Sequence, residues 1–233
     1  MPWPKSLNKK IRAKVNLAPL TSFKVGGPAE FFLEPSNIRE LREALVFAKR
    51  AGMPVFILGA GSNILVSDSG LRGLVIKLGG EFFKQVRSRG SCIEAGAGLY
   101  LSRLMLYAKN KGLSGLEFLA GLPGTLGGAL AGNAGAWGSS IGDRVEEVRV
   151  LDYSGKIKLL GLRQIKFSYR KSNLNKYIIL SARFKLRRAD KQAIDSRMRG
   201  FILRRRKAQT NRLPSAGCIF KNPGKQAAGM LID

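Results

Sequence analysis

The sequence predicts an α+β fold. Three observations lead there: two amphipathic helical stretches with start and stop signals, several short apolar runs of strand length that include a hairpin, and no internal repeat or low-complexity linker. The first helix begins at Asn37, with Glu40 three residues on as in a capping box. Ile38, Leu41, Leu45 and Ala48 share one face, and Gly52 ends it. Pro54 to Leu58 reads as a short buried strand and Leu74 to Leu78 as another, separated by the turn Ser67-Asp68-Ser69-Gly70. After a basic turn, Ser91 to Ala97 reads as a strand. Leu101, Leu104, Met105 and Ala108 then mark a second helix closed by Gly112. Glu147 to Tyr153 and Lys156 to Leu160 form a hairpin across Ser154-Gly155. Tyr177 to Leu186 is a long strand with Ile178, Leu180, Ala182, Phe184 and Leu186 on one side. A last helical stretch carries Ile194, Met198, Phe201 and Ile202 at helical spacing.

Composition narrows the classes. A chain of 233 residues, 45% hydrophobic, can bury a sizeable core. Its apolar runs fall far short of the roughly twenty residues that span a bilayer, which argues against a membrane protein. The opening MPWPKSLNKKIRAKV is basic but leads into no apolar core or small-residue cleavage site. Two cysteines, Cys92 and Cys218, make no disulfide framework, and a cytoplasmic location is expected. The chain has no histidine, which removes histidine triads and ordinary zinc sites, and no metal site is expected.

Two glycine-rich loops carry the chemistry. Gly115 to Gly138, GLEFLAGLPGTLGGALAGNAGAWG, holds eight glycines in 24 residues. Pro123-Gly124-Thr125 followed by Gly127-Gly128 reads as a tight turn opening into a short helix. Free N–H groups and the helix dipole would there face a pyrophosphate; a close-packed loop without a ligand is the alternative. The second such loop, Gly59-Ala60-Gly61-Ser62-Asn63 directly after a strand, favours the ligand. It is not the dinucleotide fingerprint of a Rossmann fold: Ile64 stands where the third glycine belongs and no helix follows. No G-x-x-x-x-G-K-[ST] sequence occurs, so a P-loop is absent.

Five motifs in order resemble the UDP-N-acetylenolpyruvoylglucosamine reductase (MurB) family. They are Thr21 to Ala29 (TSFKVGGPA), GAGSNILV, the loop from Gly115 to Gly138, Tyr169-Arg170-Lys171-Ser172, and Pro214 to Pro223 (PSAGCIFKNP). The resemblance implies a two-lobed FAD-binding domain of the MurB/vanillyl-alcohol-oxidase type, with lobes 1–78 and 79–206 and the start of a substrate domain at 207–233. It implies non-covalent FAD held by Gly59, Ala60, Gly61, Ser62 and Asn63 in one loop. In the other loop the cofactor residues would be Pro123, Gly124, Thr125, Gly128, Asn133, Gly135 and Ala136.

The implied reaction is reduction of the enolpyruvyl ether of UDP-N-acetylglucosamine enolpyruvate to UDP-N-acetylmuramate, in peptidoglycan precursor synthesis. NADPH supplies hydride to FAD, and the flavin passes it to C3 of the enolpyruvyl group. Arg170 is the expected stabiliser of the enolate, since a guanidinium binds a carboxylate by two parallel hydrogen bonds. Cys218, where the family has serine, is the expected proton donor to C2. Lys221 and Asn222 are expected substrate contacts. The family carries a catalytic glutamate and a histidine-containing segment beyond the helix that starts near Ala227, so the chain reads as cut short at its C-terminus.

The charge keeps another class open. Forty-one Lys and Arg stand against 15 Asp and Glu, a net charge of +26, densest between Arg183 and Arg212. A solvated basic face, a nucleic-acid partner, or a positive cleft drawing a diphosphate substrate and NADPH all fit that charge. No nucleic-acid-binding signature accompanies it, and aromatics are not interleaved with it. A flavin-binding but inactive protein is the remaining alternative to an active reductase.

Overall fold

In the computed structural model, which describes residues 3–209, 213–224, 226 and 228–232, the chain builds two main sheets that share one large core, with three two-stranded ladders beside them. The first sheet comprises β1 (Arg12–Asn16), β2 (Pro28–Leu33), β3 (Val55–Leu58) and β4 (Leu71–Lys77), in the order β1-β2-β4-β3. β1 and β2 run antiparallel, while β2, β4 and β3 run parallel. Parallel neighbours need a crossover. Helix α1 (Ile38–Arg50) lies between β2 and β3 in the chain and buries Leu41, Ala44, Leu45, Phe47 and Ala48.

Its ends match the expectation. The Asn37 side chain accepts from the Glu40 amide at 3.0 Å, and the Glu40 carboxylate reaches back to the Ser36 amide at 2.9 Å. At the other end Gly52 N–H donates to Lys49 O and Met53 N–H to Ala48 O, the paired bonds of a Schellman stop.

β3 departs from the sequence reading. Phe56 and Ile57 are 41% and 40% exposed, although the run 54–58 reads as a buried strand. The cause is position. β3 is the edge of the sheet, and its apolar side chains line a cavity.

The second sheet is antiparallel throughout. β5 (Val86–Arg89), β6 (Cys92–Gly96), β7 (Val145–Leu151), β8 (Ile157–Gly161) and β9 (Ile178–Lys185) follow the order β8-β7-β9-β6-β5. The stretch read as a basic turn before Ser91 is strand β5, whose Arg87 pairs with Glu94 across the ladder. In the hairpin turn between β7 and β8, Asp152 Oδ1 accepts from the Ser154 hydroxyl and the amides of Ser154 and Lys156.

Three helices complete this part: α2 (Leu101–Asn110), the short α3 (Leu126–Ala131) and α4 (Lys191–Ala208). α4 is the basic segment. Ile194 is fully buried, and Met198, Phe201 and Ile202 pack on the core, so the apolar stripe faces inward as its spacing requires. Arg212, the end of the charge block, and Ala227, the start of the last helical stretch, lie outside the described residues. Among those described, no helix is long and apolar enough to cross a membrane.

One buried carboxylate ties α4 to the second glycine loop. Glu117 accepts from Ser114 Oγ at 2.8 Å, Gly115 N at 2.7 Å and Arg197 Nε at 3.1 Å. Burial alone would raise its pKa. Bonds from its own amide, Ser114 and Gly115, with the Arg197 charge, outweigh burial and hold the carboxyl below its ordinary range. A carboxylate with a depressed folded pKa stabilises the fold above its unfolded pKa, near 4.3, and that contribution is lost as pH falls through the folded value. Glu117→Gln is therefore expected to lower stability by about 1–3 kcal/mol at neutral pH. The gap from wild type should close on acidification below about pH 4, measured by thermal unfolding followed by circular dichroism from pH 7 to pH 3.

Candidate functional site

The first glycine loop leaves the end of β3 as a run of unengaged donors. The amides of Gly59, Ala60, Gly61, Ser62 and Asn63 donate to no protein acceptor among the described residues. The loop is pressed from below. Gly61 has φ +66°, its carbonyl accepts from Ser22 N at 2.9 Å, and a Cβ on it would lie 2.1 Å from Leu20 O. Thr21, buried in the N-terminal motif, holds that support by donating its hydroxyl toward Ala18 O and Val25 O.

The second loop meets the first directly. Ser62 Oγ donates to Pro123 O at 3.2 Å, and a Cβ on Gly59 would stand 2.7 Å from Thr125 Oγ1. One expectation is corrected here. The helix opened by this loop spans only Leu126–Ala131, and its first amides are spent inside the protein: Leu126 N–H on Leu99 O and Gly127 N–H on Ala97 O, both at 2.8 Å. The amides of Gly124, Thr125 and Gly128, in contrast, donate to no acceptor among the described residues. The second loop supplies close approach.

Between the sheets a cavity of about 400 Å³ opens beside this junction. Gly59, Thr125 and Gly128 line it from the loops, Phe56 and Ile57 from β3, and Tyr100, Tyr153 and Tyr177 from the opposite side. Burial pushes the Tyr153 phenol up from its ordinary pKa. An apolar, aromatic slot next to a row of free amides fits a molecule with a planar ring and a diphosphate, as FAD has.

The other sequence-predicted residues gather around the loops to different degrees. Asn133 has φ +44°, and its side chain is committed within the protein: Nδ2 donates to Ser168 O at 3.1 Å and Oδ1 accepts from Gly142 N at 3.2 Å. Gly135 and Ala136 pair with Ser140 and Ser139 in a small ladder, away from the cavity lining. Arg170, φ +56° and exposed, sits at the tip of a hairpin formed by Phe167–Ser168 and Lys171–Ser172. That hairpin is sewn to the end of α3 by the buried Ser172, whose hydroxyl donates to Ala131 O at 2.9 Å, and by the Asn133 bond.

Cys218 is an exposed free thiol. Its neighbour Gly217 faces the first loop, where a Cβ would be 3.2 Å from Asn63 Oδ1. Asn222 N–H donates to the Tyr169 hydroxyl at 3.3 Å, joining the last motif to the Tyr-Arg hairpin, and Asn222 Oδ1 accepts from Ala228 N. Lys221 is exposed.

Residues 29–161 match a family model described as an FAD binding domain. The chain is 40% identical over 226 residues to UDP-N-acetylenolpyruvoylglucosamine reductase 2 of Symbiobacterium thermophilum, covering 96% of this chain and 73% of that protein. This chain belongs to the UDP-N-acetylenolpyruvoylglucosamine reductase (MurB) family. The reductase of Moorella thermoacetica is 42% identical over 214 residues, 91% of this chain and 70% of its own length. The crystal structure of MurB from Thermus caldophilus superposes with a TM-score of 0.84 at 38% identity, over 95% of this chain and 79% of that one. A VAO-type flavoprotein from Myceliophthora thermophila shares the fold alone, with a TM-score of 0.52 at 14% identity over 69% and 32% of the two chains. As a MurB-family chain with an FAD-binding domain, the protein is an FAD-containing oxidoreductase of α+β architecture.

In this MurB-family chain the tyrosines across the cavity were not foreseen, because no spacing marks side chains that three separate segments bring together. Thr21 lay inside a recognised motif, but its support of the first loop required the fold. Gly61→Ala is expected to abolish FAD retention. It forces a side chain onto positive φ, at about 1–2 kcal/mol, and drives Cβ into the Leu20 carbonyl. The 450 nm absorbance that survives desalting, compared with wild type, measures this.

Proposed function

We propose that the protein catalyses NADPH-dependent reduction of UDP-N-acetylglucosamine enolpyruvate to UDP-N-acetylmuramate, in the cytoplasm, in peptidoglycan precursor synthesis. The observation that carries this reading is the junction at Ser62–Pro123, where two family loops and the Cys218 segment meet beside an aromatic cavity. It is supported by the printed names of relatives at about 40% identity. FAD, when bound, supplies two-electron hydride chemistry between the nicotinamide and the sugar.

The chain's own residues are assigned as follows. The amides of 59–63 hold the cofactor diphosphate, with Pro123, Gly124, Thr125 and Gly128 closing over it. Asn133, Gly135 and Ala136 keep the far end of the second loop in shape for the cofactor. Arg170, presented at its hairpin tip, binds the substrate carboxylate and the charge that develops there. Cys218 delivers a proton to C2 of the enolpyruvyl group, and Lys221 and Asn222 bind the substrate's anionic groups. The proposed lobes are 1–78 and 79–206, with 207–233 belonging to a substrate domain. The first sheet falls within residues 12–77 and the second within 86–185, which supports that division.

A second reading is a flavin-binding protein that does not turn over the sugar. One experiment separates the readings. The chain is loaded with FAD, desalted, reduced anaerobically with NADPH and then given the enolpyruvyl sugar. Bleaching followed by recovery of the flavin band is the expected result for a working reductase; bleaching without recovery selects the second reading.

In the working enzyme, Cys218→Ala is expected to leave NADPH-dependent bleaching nearly intact and to slow recovery by about 10²–10⁴-fold, with Cys218→Ser retaining activity. Stopped-flow absorbance resolves the two steps. Equal slowing of both would refute a specific proton-donor role.

A further inference from the structure

The outer side of α4 takes no part in the cofactor site. The helix begins where α2 ends: Ala189 N–H donates to Gly112 O at 3.0 Å, and Lys109 Nζ bridges Asp195 at 2.9 Å. Inward, α4 buries Ile194 and packs Met198 and Ile202 on the core. Outward, Gln192, Ser196, Arg199, Leu203 and Lys207 recur at spacings of three and four residues, and all five are exposed. The first four of them, with Lys109 and Lys191, line a groove of about 700 Å³ that shares no residue with the cavity between the sheets.

This face is both basic and apolar. Helix α2 holds two Lys or Arg and no carboxylate, and α4 holds seven against a single carboxylate, Asp195. Lys109 shares that carboxylate with Arg199, which reaches it at 2.7 Å, so even this cluster keeps net positive charge. Two leucines stand in water among these cations. Leu203 is 56% exposed, and Leu106, one turn before Lys109 on α2, is 50% exposed. A lipid surface satisfies both parts of the pattern, because cations lie among phosphate headgroups while aliphatic side chains enter the boundary with the acyl chains. Other anionic partners leave a part unsatisfied. The stripe carries no aromatic side chain on which a base would stack. A second copy of the chain would bring its own positive charge against it.

We propose that the outer face of α4, with Leu106 and Lys109 of α2, docks the protein on an anionic phospholipid bilayer. Lys191 and Lys207 lie among the headgroup phosphates, and Leu106 and Leu203 enter below them. The opposite side of α4 holds the core and, through Arg197 and Glu117, the second loop, so docking leaves the cavity between the sheets uncovered. The inference stands apart from the reductase reading.

The test is co-sedimentation of the whole chain with vesicles of phosphatidylcholine alone or with about one-third phosphatidylglycerol, at physiological salt. The chain is expected to sediment with the anionic vesicles and to stay in solution with the neutral ones. Leu106→Ser with Leu203→Ser, which changes no charge, is expected to weaken binding by about 10-fold. Lys191→Gln with Lys207→Gln is expected to do so by a similar factor, whereas Lys5→Gln with Lys9→Gln, ahead of the first sheet, stays within about twofold of wild type. Absence of binding to the anionic vesicles, equal binding to both kinds, wild-type binding by the leucine pair, or an equal loss from the Lys5 and Lys9 pair each overturns the proposal. Binding of a short RNA duplex without vesicle binding assigns the charge to nucleic acid and also overturns it. If the leucine pair does not fold by circular dichroism, Leu203→Trp decides. Emission beyond that of wild type that shifts to the blue on anionic vesicles supports a docked α4, and unshifted emission overturns it.

Discussion

Close backbone approach at the seam of the two sheets is the constraint on which the rest depends. The first loop rests on Leu20 O, touches Thr125 and is bonded through Ser62 to Pro123. A Cβ on Gly59 would meet Thr125 Oγ1 at 2.7 Å and one on Gly61 would meet Leu20 O at 2.1 Å, which is why glycine stands at both positions. The amides freed by that arrangement are oriented before any ligand arrives. Recognition of a diphosphate by main chain needs little reorganisation, and the loss of one peptide orientation disturbs several donors together.

Rigidity at the seam is imported from outside it. Glu117 fixes the start of the second loop to α4, Ser172 fixes the Tyr-Arg hairpin to the end of α3, and Thr21 braces the floor of the first loop. Each is a buried polar group with its partners satisfied, so each specifies one geometry instead of a family of them. The arrangement also accounts for part of the basic character of α4. Arg197 and Arg205 serve the loop, while Lys191, Arg204 and Arg206 are exposed on the same helix.

Much of this was legible in the residues. Helix α1 could be placed from Asn37, Glu40 and Gly52, and the stripe of Ile194, Met198, Phe201 and Ile202 identified the buried side of α4, because both signals are local. The two loops were legible as loops from glycine density. Strand order was not, since the parallel pairing of β2, β4 and β3 depends on a crossover that leaves no mark within any strand. The same limit explains β3. An apolar run states that its side chains avoid water, but not whether protein or a ligand will cover them. That the Leu126 and Gly127 amides are engaged was not legible for a related reason, as Leu99 and Ala97, which capture them, lie on a different segment.

The exposed edge of β3 has a consequence for the life of the chain. Phe56 and Ile57 lie on an outermost strand, which has an unpaired hydrogen-bonding edge, and such edges are templates for pairing with other chains. Covering elements normally protect such edges, so an occupant of the cavity beside β3 would also shield its apolar side chains from other chains.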